Sequence, residues 1–134
     1  MDSEAPTELS WQTGLPAALV QARSQQKPVL LDFTGSDWCP PCRQLNNRVF
    51  ASPEFKSYAD SNLVLVQVDF PRSKPQSEEL KKSNEALQKQ YEVEGFPTII
   101  LLSPEGKILK RETGYGGATA VDFITALEQA RKGG

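Results

Sequence analysis

The chain has 134 residues, of which 38% are hydrophobic and 24% charged, as expected for one ordinary globular domain with a single core. Its net charge is −2, so it lacks the basic field that nucleic-acid binding requires, and we expect no nucleic-acid partner. It contains no histidine, which excludes a Ser-His-Asp triad, a Cys-His nucleophile pair and a histidine-ligated zinc site, and leaves two cysteines for covalent chemistry.

The N-terminal third predicts a lead segment, a helix and a buried strand. We interpret the polar residues 1–9 as a flexible lead and residues 10–134 as one domain. Apolar residues recur at helical spacing from Leu15, after a candidate cap at Thr13. Residues 29–33 form an apolar run typical of a strand buried on both faces. No run reaches the ~18 apolar residues of a membrane span, so we expect no membrane insertion.

Cys39 and Cys42 lie at the start of the next predicted helix, one turn apart. This spacing allows a disulfide, and unpaired amides at a helix N-terminus favour the thiolate of the first cysteine. We expect Cys39 to be accessible and to attack a substrate disulfide, while the shielded Cys42 releases the product. The alternatives are incidental thiols, a structural disulfide, or a metal-binding pair shared between two chains.

Two prolines separate the cysteines, and both lack an N–H group. Only the amides of Cys42 and Arg43 then remain near Cys39, so its thiolate should be less favoured and the disulfide a weaker oxidant. Because Pro41 disfavours the helical conformation of the residue before it, we expect the regular helix to begin at Pro41. The alternative is that the prolines only stiffen the helix entry.

The rest of the chain predicts a strand at 63–68, a loop at 70–76, a helix at 77–91, a strand at 98–102 and a hairpin to an edge strand at 108–113. A final helix starts with a cap at Thr119 and should turn Val121, Ile124 and Leu127 inward. The order of elements predicts two parallel crossovers and then a hairpin, with helices on both faces of the sheet.

Five further residues are candidates for the site. Asp32, in the middle of a buried strand, should have a raised pKa and exchange protons with Cys42, unless it only caps or pairs at the strand end. Trp38 is either a flat contact for a substrate peptide or a lid on the core. Phe96, Pro97 and Tyr115 lie in loops at strand ends, where an α/β sheet presents its binding face. By contrast, we interpret Asp37 as part of the loop surface.

Four segments together resemble the thioredoxin superfamily: Asp32-Phe33, the Trp-Cys-Pro-Pro-Cys motif at 38–42, Gly-Phe-Pro-Thr at 95–98, and Gly114. The resemblance implies an α/β thioredoxin fold, a central mixed β-sheet flanked by helices on both faces. It also implies that Cys39 is the nucleophile, Cys42 the resolving thiol and Asp32 the buried carboxylate. Pro97 matches the family's cis-proline. The redox-active Cys39–Cys42 disulfide would need no other cofactor and no metal.

Three differences from the usual thioredoxin sequence indicate a particular branch of the superfamily. The segment 33–38 is one residue longer than usual, the 70–77 loop is extended, and Leu65 or Gln67 falls where many members have a lysine. In these respects the chain is similar to bacterial periplasmic thioredoxin-like disulfide reductases. That likeness implies a monomeric protein-disulfide reductase that acts on disulfide-containing proteins and receives electrons from an upstream thiol donor. It would act in the periplasm or otherwise outside the cytoplasm, with its signal peptide absent from this sequence.

Four alternatives remain open at this point: a disulfide isomerase, a cytochrome-maturation thiol reductase, a binding module with redox-silent or metal-sharing cysteines, and a cytoplasmic location.

Overall fold

In the computed structural model, which describes residues 8–133, one five-stranded sheet carries helices on both faces. The strands are β1 (Trp11–Gln12), β2 (Val29–Thr34), β3 (Val64–Asp69), β4 (Thr98–Leu102) and β5 (Ile108–Thr113). The helices are α1 (Leu15–Gln25), α2 (Pro40–Leu45), α3 (Pro53–Asn62), α4 (Glu78–Gln90) and α5 (Ala120–Gly133), and a π-helical turn (Asn46–Phe50) follows α2. The mixed α/β sheet implied by the resemblance is therefore confirmed.

The strand order is β1-β3-β2-β4-β5, with β1, β3 and β2 parallel and β4 and β5 antiparallel to their neighbours. Of the two predicted parallel crossovers, the one from β2 to β3 is confirmed, whereas the one from β3 to β4 is wrong, because β4 runs antiparallel beside β2. The physical reason is that an apolar run indicates a buried strand but carries no information about its direction. The predicted hairpin between β4 and β5 is confirmed.

Strand β1 was not predicted, because two residues are too few to show a periodicity. It pairs with β3 through Trp11 and Leu65, and Leu9 packs against the same side of the core. Residues 1–7 of the predicted lead lie outside the described residues, so the lead stays a prediction.

The core consists of two hydrophobic clusters, one on each face of the sheet. Strand β2 contributes to both, because alternate side chains of a strand point to opposite faces: Leu31 and Phe33 belong to one cluster and Leu30 to the other. All six residues of β2 are buried. The strand is therefore fixed from both sides, and its carboxyl end leads directly to the cysteine motif.

The helix ends show which sequence signals held. Thr119 accepts a backbone N–H group as the predicted cap of α5, and Ser52 caps α3 in the same way. By contrast, the N-cap of α1 is Gly14, which supplies no side-chain hydrogen bond, so the cap at Thr13 is wrong. In α5, Leu127 is buried and Ile124 packs against the core, as predicted. Val121 is 59% exposed, and Phe123 packs against the core in its place, so the prediction is wrong at this one position.

Candidate active site

The two cysteines form a disulfide at the N-terminus of α2. The N–H groups of Trp38 and Cys39 both donate to the carbonyl of Gly35, which turns the chain from β2 into the helix. Cys39 is the N-cap residue, and Pro40 is the first helical residue. The helix thus begins one residue earlier than expected, because the fixed φ of a proline suits the first helical position.

One amide faces the sulfur of Cys39. The N–H of Cys42 lies 3.3 Å from this Sγ, whereas the N–H of Arg43 donates to the backbone carbonyl of Cys39 at 3.0 Å. The two prolines supply no N–H. Of the two amides expected to remain, only that of Cys42 is therefore directed at the sulfur.

The two cysteines are equally buried in the disulfide form, each 4% exposed. The expected accessibility of Cys39 concerns the thiol of the reduced protein and stays a prediction. The surroundings of the two cysteines differ. Sγ of Cys39 lies 3.7 Å from the carbonyl oxygen of Phe96, in a partly buried contact. Cys42 instead lines a polar cavity beneath the disulfide.

This cavity has a volume of ≈ 260 Å³ and is lined by Asp32, Thr34, Ser36, Cys42, Arg43, Asn46, Asn47 and Gln67. Asp32 is buried, and its Oδ1 has no hydrogen-bond partner among residues 8–133. Burial, and secondarily the nearby charge of Asp69, raises the pKa of Asp32 to about 7. Gln67 lies opposite Asp32 in the β2–β3 register, so Gln67 rather than Leu65 occupies the position where the family often has lysine. The structure therefore brings Cys42 and a carboxyl group whose pKa lies near neutrality to one cavity.

Trp38 is half-buried and fixed on three sides. Its Nε1 donates to the carbonyl of Phe70 at 2.7 Å, and its ring meets Phe96 edge-on at 5.9 Å between centroids. Gly35 lies directly under the indole, since a Cβ there would be 2.6 Å from Cζ2. Trp38 therefore combines packing with a partly exposed surface next to Cys39.

The extended loop after β3 folds back onto Trp38, which the sequence did not reveal. The carboxylate of Asp37 accepts the backbone N–H groups of Arg72, Ser73 and Lys74 at 3.0, 2.8 and 3.1 Å. These hydrogen bonds lower the pKa of Asp37. They also anchor the loop, so the interpretation of Asp37 as part of the loop surface is corrected to that of an anchor at this surface. The guanidinium carbon of Arg72 lies 3.7 Å from the centroid of the Trp38 ring.

The predicted binding residues are only partly brought together. Phe96 contacts Trp38, and the Phe96–Pro97 peptide bond is cis, as the resemblance implied. Tyr115 follows Gly114, whose N–H donates to the carbonyl of Pro97, but it lines a separate cavity of ≈ 390 Å³ beside α5. No described contact joins Tyr115 to the disulfide, and its role in binding stays a prediction.

Within residues 8–133, no three potential ligands among His, Cys, Asp and Glu cluster in a way that could hold a metal ion. Over the same residues, no helix has both the length and the hydropathy needed to cross a bilayer.

Residues 15–131 match the model of the thioredoxin-like domain family. The disulfide bond reductase DsbH of Chlamydia pneumoniae is 39% identical over 127 residues, which cover 92% of this chain and 76% of that protein. A solved structure named DsbH oxidoreductase superposes with a TM-score of 0.86 at 37% identity, covering 96% of this chain and 88% of the other. The thiol:disulfide interchange protein DsbD of Klebsiella pneumoniae is 36% identical over 85% of this chain, which spans only 18% of that longer protein.

Proposed function

Because the chain belongs to the thioredoxin-like family and is a thiol–disulfide oxidoreductase, we propose that it acts as a reductant, passing electrons from the Cys39–Cys42 dithiol to protein disulfides. The name of DsbH, a disulfide bond reductase, supports this direction. The observation that carries the proposal is the single amide N–H directed at Sγ of Cys39.

A strong disulfide oxidant owes its potential to a stabilised thiolate in its reduced form. Here the N–H of Cys42 faces the sulfur, whereas Pro40 and Pro41 have no N–H groups. The chain also has no histidine to supply a positive partner. We therefore expect a reduction potential below about −200 mV, nearer to the ~−270 mV of thioredoxin than to the ~−120 mV of DsbA.

The reaction needs two bond exchanges. The Cys39 thiolate attacks one sulfur of the substrate disulfide, so that a Cys39–substrate disulfide forms, the substrate S–S bond breaks, and the released thiolate takes up a proton. Cys42 then gives its proton to the Asp32 carboxylate, directly or through water in the polar cavity, and attacks Sγ of Cys39. The internal disulfide forms and the second substrate sulfur leaves, so two electrons have passed to the substrate.

The cavity supports this role for Asp32. It is polar and large enough to hold water, and the Asp32 pKa of about 7 allows the group to accept and release a proton near neutral pH. An upstream thiol donor must return the disulfide to the dithiol after each turnover. We further propose that this cycle takes place outside the cytoplasm, because the chain resembles bacterial periplasmic reductases.

The decisive experiment is equilibration of the protein with dithiothreitol and glutathione buffers, read by tryptophan fluorescence. A potential below about −200 mV supports the reductase, whereas one above about −150 mV would make the protein an oxidant or isomerase. Insulin reduction by the wild type, with Cys39→Ser as control, separates an enzyme from a binding module, which would show no thiol-dependent turnover.

A pair of proline variants tests the amide argument itself. An N-cap side chain can accept the N–H groups of the second and third helical residues. Here the third residue, Cys42, donates to Sγ of Cys39, whereas the second, Pro41, has no N–H to donate. Pro41→Ala should therefore raise the potential by about 30 mV or more, since a hydrogen bond to a charged group contributes ~1.5–3 kcal/mol and 30 mV corresponds to ~1.4 kcal/mol. Pro40→Ala is the matched control and should change it less, because the N–H of the first helical residue does not reach the cap.

A further inference from the structure

The loop after β3 holds a positive charge beside the disulfide. The side chain of Arg72 is exposed, yet its guanidinium group lies over the ring of Trp38, the residue before Cys39. The backbone of the same residue donates to Asp37, which is itself next to Trp38. Both ends of Arg72 are thus attached to the segment that carries the nucleophile, and its charge has a defined place there.

The acidic groups of this surface are already engaged. Asp37 accepts three backbone N–H groups of the loop. Asp69 accepts the N–H and the hydroxyl of Ser36 at 3.0 and 2.6 Å and pairs with Lys74 at 3.5 Å. Among residues 8–133, Arg72 and the exposed Arg43 have no carboxylate partner. The surface around the disulfide therefore carries two guanidinium groups that form no ion pair among the described residues, although the net charge of the chain is −2.

We propose that Arg72 determines substrate specificity, favouring protein disulfides that lie next to an aspartate or glutamate; this rests on the proposed reductase function. A cation over an aromatic ring is attracted through its charge and keeps its N–H donors. The guanidinium group can therefore bind a carboxylate with two parallel hydrogen bonds while it stays on Trp38. A substrate bound in this way has its acidic residue at Arg72 and its disulfide at Cys39.

The test compares three disulfide peptides that differ only in the residue next to one cysteine, which is Glu, Gln or Lys. In 0.01 M salt, we expect kcat/KM for the Glu peptide to exceed that for the Gln peptide about 3- to 5-fold, the range of a good exposed ion pair, with the Lys peptide slowest. In 1 M salt the three values should converge, because the screening length falls from ~30 Å to ~3 Å.

Variants assign the preference to Arg72. Arg72→Gln should bring the Glu/Gln ratio towards 1, and Arg72→Glu should make the Lys peptide the fastest. Arg23→Gln is the matched control, because it removes the same charge from an exposed site in the last turn of α1. This helix precedes the N-terminal end of β2, whereas the disulfide follows the C-terminal end of that strand. This control should keep the wild-type ratio.

Three results would overturn the inference: a Glu/Gln ratio near 1 in the wild type, an equal fall of the ratio in Arg23→Gln, or a loss of rate in Arg72→Gln that is the same for all peptides. The last result would mean that Arg72 only supports the loop. In each case Cys39-dependent reduction of the Gln peptide would leave the reductase function standing. Failure to reduce any peptide would instead reject the proposed function, and this inference with it.

Discussion

Replacement of Asp32 with asparagine should stabilise the oxidised protein at pH 8 and remove the part of the pH dependence of its unfolding free energy that this carboxyl group contributes. Asp32 is buried, with Oδ1 lacking a hydrogen-bond partner among residues 8–133, so its ionised form is unfavourable in the folded state. Asparagine has nearly the same shape and carries no charge at any pH. The variant therefore isolates the cost of the charge.

The size and sign follow from the pKa. It rises from 3.8 to about 7 on folding. Below pH 3.8 the carboxyl group is neutral in both the folded and the unfolded state, so folding carries no cost for a buried charge and the stability is highest. Between pH 4 and 7 the unfolded chain ionises first, so stability falls as the pH rises and then levels off. At 1.36 kcal/mol per unit, about 3 units correspond to a loss of about 4 kcal/mol.

The variant should gain less than this, because a buried amide that lacks partners itself costs ~1–3 kcal/mol. We expect Asp32→Asn to match the wild type or fall slightly below it at pH 4, and to exceed it by about 1–3 kcal/mol at pH 8.

The assay is urea unfolding of the oxidised proteins between pH 4 and 8, followed by tryptophan fluorescence. Asp37→Asn is the control of opposite sign. Hydrogen bonds lower the pKa of Asp37, so its contribution is present at neutral pH and lost as the pH falls through this lowered value. Asp37→Asn should thus destabilise by a nearly constant amount between pH 5 and 8, and this amount should shrink only as the pH falls below about 4.

A stability difference between Asp32→Asn and wild type that stays constant from pH 4 to 8 would refute the reasoning. In the reduced enzyme the same variant should slow turnover several-fold near pH 7, because Cys42 then lacks its proton acceptor.

Two further predictions concern the cysteines and Trp38. Cys42→Ser should accumulate a mixed disulfide with substrate, visible on non-reducing gels, whereas Cys39→Ser should not; the reverse pattern would exchange the two roles. Gly35→Ala should destabilise by ~1–3 kcal/mol and shift tryptophan fluorescence, because its Cβ would enter the indole of Trp38. Gly95→Ala, whose Cβ would find its nearest neighbour at 3.5 Å, is the control and should have a smaller effect on the fluorescence; equal shifts would contradict the close packing.

Local signals predicted the elements that deliver the cysteines. The apolar run at 29–33 is strand β2, and the proline pair starts a helix capped by Cys39. These features depend on neighbours a few residues apart, so they are visible in the chain. The burial of Asp32 was predictable for the same reason, because it interrupts a run buried on both faces.

Long-range contacts were not predictable in this way. Asp37 binds backbone amides that lie 35 to 37 residues later, and backbone amides leave no mark in a sequence. The direction of β4 depends on how the chain returns to the sheet, and its apolar side chains fit either direction. The position of Arg72 on Trp38 follows from the hydrogen bond between the Arg72 N–H and Asp37, so it was not predictable from the sequence either.

In the loop attached through Asp37, the groups that hold the loop in place differ from the side chain that it presents beside Cys39. The contact with Asp37 uses one carboxylate and main-chain N–H groups, which every amino acid except proline provides. The chemistry that the loop presents beside Cys39 depends on the side chain at position 72. Mutations at 72 can therefore change which partners the protein prefers without moving the loop, and a library of residues at this single position would yield variants with altered selectivity on an unaltered redox centre.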